Sequence, residues 1–230
     1  MPYHPPVKYR AYLGHGLFWL LCCLPLWGWT AEQVSLPDAV KRLQNFLLTV
    51  KTLEADFVQR IEQPESGLPA ESRGHISTAK PGRFRWDYQT PNQQTIVSDG
   101  QTIWFYEPDL AQVTVGKAKR LDNTPAVLLS SDLPLHTVFS WRTTEDPQLH
   151  LPVVHLLPKK EGSIKEIELV LDPHRDELLK LTTRDSLGHV SHFTFEHMRI
   201  NQPIGSSRFQ FEIPAHVDVI EEQSQSSDAP

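Results

Sequence analysis

Three histidines close together, His189, His192 and His197, are the first residues in this chain whose type and spacing could do chemistry. Imidazole ligates divalent metals and exchanges protons near neutral pH. A metal site would need all three rings to converge. The stretch from His189 to Ile200 alternates apolar and polar residues, as a strand does. On a strand, residues an odd number apart face opposite ways. His189 and His197 then share one face and His192 lies on the other, so no single ion can hold them. They read as surface or half-buried side chains, and no metal is expected.

A nucleophile is no easier to find. The sequence has no G-x-S-x-G elbow, no Gly-rich phosphate loop and no H-E-x-x-H. Asp and Glu fall mostly at turns or on the polar sides of strand-like segments, and no pair of acids stands out. Both cysteines, Cys22 and Cys23, lie near the N-terminus, which leaves no thiolates for a structural zinc site and no disulfide. No catalytic residue and no cofactor are expected, and the chain reads as something other than an enzyme.

The N-terminal stretch itself looks like a leader. Lys8 and Arg10 give a positive start, an apolar run covers Leu17 to Leu26, and small residues follow. That order describes a secretory signal peptide over residues 1–30, cleaved after Thr30. The apolar run is too short to span a bilayer, which takes roughly 20 residues. Neither cysteine follows a small residue, as lipid attachment would require. Without Lys8 and Arg10 the formal charge moves from −6 to −8. An acidic chain of this kind argues against nucleic acid. The rest is long enough, at roughly 200 residues, to bury about 70% of its surface as one domain.

Ser35-Leu36-Pro37-Asp38 resembles a helix start, and Leu36, Val40, Leu43, Leu47 and Val50 then keep helical spacing, with Ala39 and Phe46 widening the stripe. After this helix the period drops to two. Leu53, Ala55, Phe57, Gln59 and Ile61 alternate with polar residues, and RFRWDYQ puts Phe84, Trp86 and Tyr88 on one face. Turns are expected at Pro64–Pro69, Pro81-Gly82 and Asp99-Gly100. The last reads as a two-residue hairpin that pairs Ser98 with Gln101. Ile96, Ile103 and Phe105 then share a face, while Val97, Trp104 and Tyr106 share the other. A strand is expected at 110–115. Asn123-Thr124-Pro125 opens a second helical piece containing Ala126, Val127, Leu128 and Leu129, and Leu135 to Phe139 forms one more turn. Further strands are expected at 149–157, 164–172, 177–185, 189–200 and 208–213.

The total is ten or eleven short strands and two or three short helices. Their connections are too short for helical crossovers, so the sheet is antiparallel. So many strands in one sheet must curl, and the helices are all there is to cover the concave side. They either fill it or form a lid over a hollow.

Phe57-Val58-Gln59, Lys80 to Trp86, Val97-Ser98-Asp99-Gly100 with Trp104-Phe105-Tyr106 and Pro108, and Asn123-Thr124-Pro125 together resemble the periplasmic outer-membrane lipoprotein carrier (LolA) family. Phe209-Gln210-Phe211 with Pro214 matches more loosely. The resemblance implies an unclosed antiparallel β-barrel with a helical lid over an apolar cavity, spanning residues 31–220; the polar composition of 221–230 marks a disordered tail. It implies a soluble, monomeric periplasmic shuttle. The shuttle takes the acyl chains of lipoproteins from an ABC transporter in the inner membrane to a lipoprotein receptor on the outer membrane. Combined with the faces above, it nominates Leu43, Leu47, Phe57, Phe84, Trp86, Tyr88, Ile103 and Phe105 for the cavity. It nominates Lys80, Pro125, Val127, Leu128 and Leu129 for the lid and its latch. The family commonly has Arg before Pro81, where it latches the lid. Lys80 offers three donors but not the fixed fork of Arg.

Trp104 and Tyr106 then fall on the convex side, beneath loops or on a docking surface, although the opposite assignment stays open. A sensory module of the same fold is the alternative function. A lipid-anchored receptor would need a modified cysteine, and an esterase would need a nucleophile elbow.

Overall fold

The computed structural model describes residues 36–62, 70–118, 124–175 and 177–222. The expected leader, the turn at 64–69, the helix-capping Ser35 and Asn123 lie outside them. The helical stripe forms α1 (Leu36–Thr49), which buries Ala39, Leu43, Phe46 and Leu47. Twelve strands follow: β1 (Thr52–Glu62), β2 (Ala70–Ala79), β3 (Arg83–Thr90), β4 (Gln94–Asp99), β5 (Thr102–Glu107), β6 (Gln112–Lys117), β7 (Phe139–Glu145), β8 (Pro152–Pro158), β9 (Ile164–Leu171), β10 (Leu178–Asp185), β11 (Val190–Ile200) and β12 (Asp218–Glu221). Two short helices, α2 (Pro125–Ser130) and α3 (Leu135–Val138), separate β6 from β7.

All twelve strands belong to one sheet, in the order β12-β6-β5-β4-β3-β2-β1-β11-β10-β9-β8-β7. The two end strands do not pair, so this is an unclosed, curled sheet, as the sequence led us to expect. Every neighbouring pair is antiparallel except β12 with β6, which is parallel. Alternation sets the two faces. Leu53, Ala55 and Phe57 on β1, Phe84 and Trp86 on β3, Ile167 and Leu169 on β9, and Phe193 and Phe195 on β11 join the helices in a single core. The charged residues between them point to the convex side. On the core side α1 packs on β7 and β8, and α2 packs on β2 and β3.

Four local expectations need correction. Residues 208–213 are not a strand: Ser206–Phe209 is a 3-10 turn and the chain beyond it is irregular. Phe209 and Phe211 imitate a period of two, but β3 to β5 already pair on both sides. The segment therefore crosses their convex face instead of adding to an edge. Strand β7 went unforeseen because only Phe139 and Trp141 on it are large and apolar, as suits an exposed edge. Two residues of the expected disordered tail are ordered, since Glu221 closes β12 and Glu222 N–H donates to Val115 O at 2.9 Å, and the rest of it lies outside the described residues. Finally, Ser98 pairs with Ile103, not Gln101. Asp99 Oδ1 accepts from the N–H groups of both Gln101 and Thr102 at 2.8 Å, which builds a longer turn. The shift is two residues, so the faces survive it: Ile96 lies opposite Phe105, and Val97 opposite Trp104.

The close approach of β2 and β3 depends on Gly74. A Cβ there would lie 2.0 Å from Asp87 O and 2.8 Å from Phe57 Cζ. Neither the strand backbone nor the buried ring can yield cheaply. Gly74→Ala should lower stability by about 2–3 kcal/mol, read as a fall in the urea midpoint; an unchanged midpoint would show that β2 and β3 can separate freely.

Candidate functional site

The concave side of β1, β3 and β11 carries a layer of rings. Phe57 meets Trp86 edge to face at 5.4 Å and Tyr88 at 5.1 Å. Trp86 meets Phe193 at 5.5 Å, and Phe193 stacks on Phe195 at 6.5 Å. Strand alternation puts Phe84, Trp86 and Tyr88 on this face together, and the register brings Ile96 and Phe105 beside them.

The helix α2 lies over this floor. Thr124 caps its start by accepting from Val127 N–H at 3.4 Å, and Pro125 occupies the first turn, where a missing N–H does no harm. Three recesses surround it. One of about 180 Å³ lies under its N-terminal end, between Phe84, Trp86, Tyr88, Ile96, Phe105 and Phe193 below and Thr124, Pro125 and Ala126 above. One of about 380 Å³ lies towards α1 and α3, walled by Leu47, Val127, Leu128, Leu135, Val138 and Phe139, with Lys159 and Lys160. One of about 330 Å³ lies at its C-terminal end, among Pro81, Gly82, Phe84, Gly100, Val127, Ser130 and Leu133.

The nominated cavity residues divide accordingly. Phe84, Trp86, Tyr88 and Phe105 line the first recess, and Leu47 lines the second. Leu43, Phe57 and Ile103 are packed solid within the core. Of the lid residues, Pro125 covers the first recess, while Val127 and Leu128 wall the second. Leu129 is buried in the core. Sequence reasoning missed Phe193. The alternation over 189–200 holds the signal for it, but nothing local says which face turns inward.

Lys80 sits at the turn beside these recesses and is itself buried. Its Nζ donates to Leu47 O at the last turn of α1, one of the carbonyls left without a helical partner. The hydrogen bond to α2 comes instead from Gly82 N–H, which donates to Ser130 O at 2.9 Å. The turn at 80–82 thus holds both helices, through a side chain to α1 and through the backbone to α2. Burial pushes the Lys80 ammonium down to about 8; nearby Asp132 opposes that shift and Lys51 adds to it.

On the convex face, Trp104 and Tyr106 pack against Phe211 at 6.2 and 5.6 Å. The rings on the second face of β5 are therefore a seat for the C-terminal segment. The three histidines each take a different partner: Asp185 for His189 at 2.9 Å, Thr182 for His192 at 3.1 Å and Asp56 for His197 at 3.0 Å. His155, Glu166 and Glu168 do converge within 4.8 Å. Arg142 holds Glu166 at 2.6 Å and His155 lies 2.8 Å from the same carboxylate, so Glu166 already has two partners.

Residues 48–212 match the family model described as outer membrane lipoprotein carrier protein LolA. An outer-membrane lipoprotein carrier protein of Methylococcus capsulatus is 38% identical over 216 residues, covering 90% of this chain and 99% of its own. One of Methylobacillus flagellatus is 36% identical over 186 residues, covering 80% and 90%. One of Hahella chejuensis is 35% identical over 194 residues, covering 84% and 92%.

The Lys80 ammonium gives a testable pH dependence. Its folded value, about 8, lies below the unfolded value of 10.5. Between the two the unfolded chain binds more protons, so this group makes stability rise with pH above about 8 and contributes no slope below it. Lys80→Met should remove that rise. Urea midpoints of the two proteins, compared from pH 7 to 9.5, should show a difference that changes with pH; a constant difference would mean that Lys80 titrates as an exposed lysine.

Proposed function

The chain belongs to the family of the outer membrane lipoprotein carrier protein LolA, and on that footing we propose that it is a periplasmic carrier of lipoprotein acyl chains, without chemistry of its own. It would accept cargo released by an ABC transporter of the inner membrane, travel as a soluble monomer and discharge to a lipoprotein receptor on the outer membrane. No helix among the described residues is long and apolar enough to cross a membrane.

The observation that carries this reading is the partition made by α2. A pocket for a drug-sized ligand occupies about 300–1,000 Å³. The space directly over the aromatic floor is about 180 Å³, too small for even one long acyl chain. The six-residue α2 contributes to the walls of this recess and of both larger ones. Its flanks share Val127 with both of these, and Phe84 lies on two of the three. Raising α2 would merge the three into one apolar trough. The closed arrangement covers the aromatic floor between trips, which guards against aggregation. Cargo shifts the balance to the open form by binding that form better.

Energetics set the partners. Drawing acyl chains from a bilayer takes about 0.8 kcal/mol per CH₂. The trough returns much of this when it buries the chains, and the ATP-driven transporter supplies the remainder. Discharge then needs a receptor that binds more tightly than the trough.

Phe84 tests the reading, because it touches two recesses and is buried in the closed form. Phe84→Glu sets a charge where acyl chains must lie and removes a ring whose burial is worth roughly 1.5–3 kcal/mol. The variant should fold, by circular dichroism, yet bind a diacylated lipopeptide at least about tenfold more weakly and fail to release lipoprotein from spheroplasts. Normal release would refute the proposal.

A further inference from the structure

The recess over the aromatic floor is apolar on almost all sides, yet two polar atoms inside its wall have no protein partner. Trp86 Nε1 is buried, and among the described residues no acceptor lies within hydrogen-bonding reach of it. The hydroxyl of Tyr88, two residues along and on the same face, also makes no hydrogen bond among the described residues, on a side chain that is half-buried. Buried polar groups left without partners are uncommon, and each calls for a reason.

Packing does not supply one. The same face of β3 uses Phe84 one position before Trp86 in the alternation, so a phenyl ring meets the demand for bulk there. An indole N–H can only donate, and a phenol can donate as well. Burial raises the pKa of Tyr88 far above its ordinary value and keeps the phenol protonated. Two donors thus belong to one wall, on one face of β3, among mostly hydrocarbon neighbours. Edge-to-face contacts of Trp86 with Phe57 and Phe193 give its N–H at most a ring face, a weak partner.

We propose that Trp86 Nε1–H and the Tyr88 hydroxyl form a polar subsite that donates to the ester carbonyls at the head of the cargo's acyl chains. The recess thereby distinguishes acyl esters from plain hydrocarbon. This rests on the carrier function proposed above and adds a selectivity to it. The subsite lies where Thr124, Pro125 and Ala126 form the roof, so α2 must lift for an ester to reach it. When the helix is down, the same donors wait unpaired against the rings.

Two synthetic lipopeptides test it: one with a cysteine carrying a diacylglyceryl group through two esters, the other with the same chains joined by ethers, whose oxygens accept poorly. The full chain should bind the ester form about three- to tenfold more tightly. In Trp86→Phe and in Tyr88→Phe the ester-to-ether ratio should fall towards one. The ester carbonyl stretch of the bound lipid should move to lower wavenumber in the natural protein and lose that shift in the variants, a signature that a packing role would not produce. Equal affinity for the two lipids in the natural protein overturns the subsite but leaves the carrier function standing. So does an unaltered ratio in Tyr88→Phe, the gentler change, and in Trp86→Phe. Binding of neither lipid overturns the carrier function and the subsite together.

Discussion

An unclosed sheet of twelve strands exposes a concave apolar face that the described residues have little helix to cover. The three α-helices among them have 14, 6 and 4 residues. Most of the structure follows from how that shortage is divided. The long helix α1 is spent on one half, where Leu43 and Phe46 join Val154, Leu156, Ile167 and Leu169 in one buried core. The other half, over Phe84, Trp86, Tyr88 and Phe193, is left to α2. A short helix with open space on three sides cannot pack as an ordinary core element does. It covers the aromatic floor there with Thr124, Pro125 and Ala126.

The convex side is handled differently. Asp87 accepts from Arg85 Nε at 2.8 Å, from Thr95 Oγ1 at 2.9 Å and from Arg208 at 2.9 Å. One carboxylate thereby ties β3 to the chain that leaves the sheet. Phe209 is buried beneath the Arg83 guanidinium, which lies 5.6 Å from the ring centroid. Phe211 covers Trp104 and Tyr106. The same segment ends as β12 and occupies the free edge of β6, where an unpaired strand would invite association. These contacts brace β3 to β5, the strands that carry the aromatic floor, from behind.

The tethers of that cover are weak and uncharged where they matter. A single backbone bond from Gly82 to Ser130 joins α2 to the turn at 80–82, and a net hydrogen bond is worth only about 1 kcal/mol. The stronger contact of the turn, from Lys80, goes to α1. An Arg at that position would offer a fork that could reach two helices at once. With Lys the side chain reaches α1 alone, and the contact of the turn with α2 is left to the backbone.

Local pattern carried much of this in the sequence. The period-two runs at Leu53–Ile61 and Phe84–Tyr88 declared strands and their inward faces, because alternation is a property of the chain alone. The helical stripe of α1 and the Thr-Pro start of α2 were equally plain. Edges and cover were not legible. Strand β7 lacks a full apolar face because it stands at the end of the sheet, and Phe209 and Phe211 resemble a strand because two separate packing sites happen to lie two residues apart. Whether Leu43, Phe57 and Ile103 line a hollow or fill a core depends on which helix lies above them. The inward turn of Phe193, the donor that holds α2 and the unpaired Trp86 N–H also depend on residues more than a hundred positions away or on another strand. Distant segments set those choices through register and packing, and no spacing along the chain encodes them.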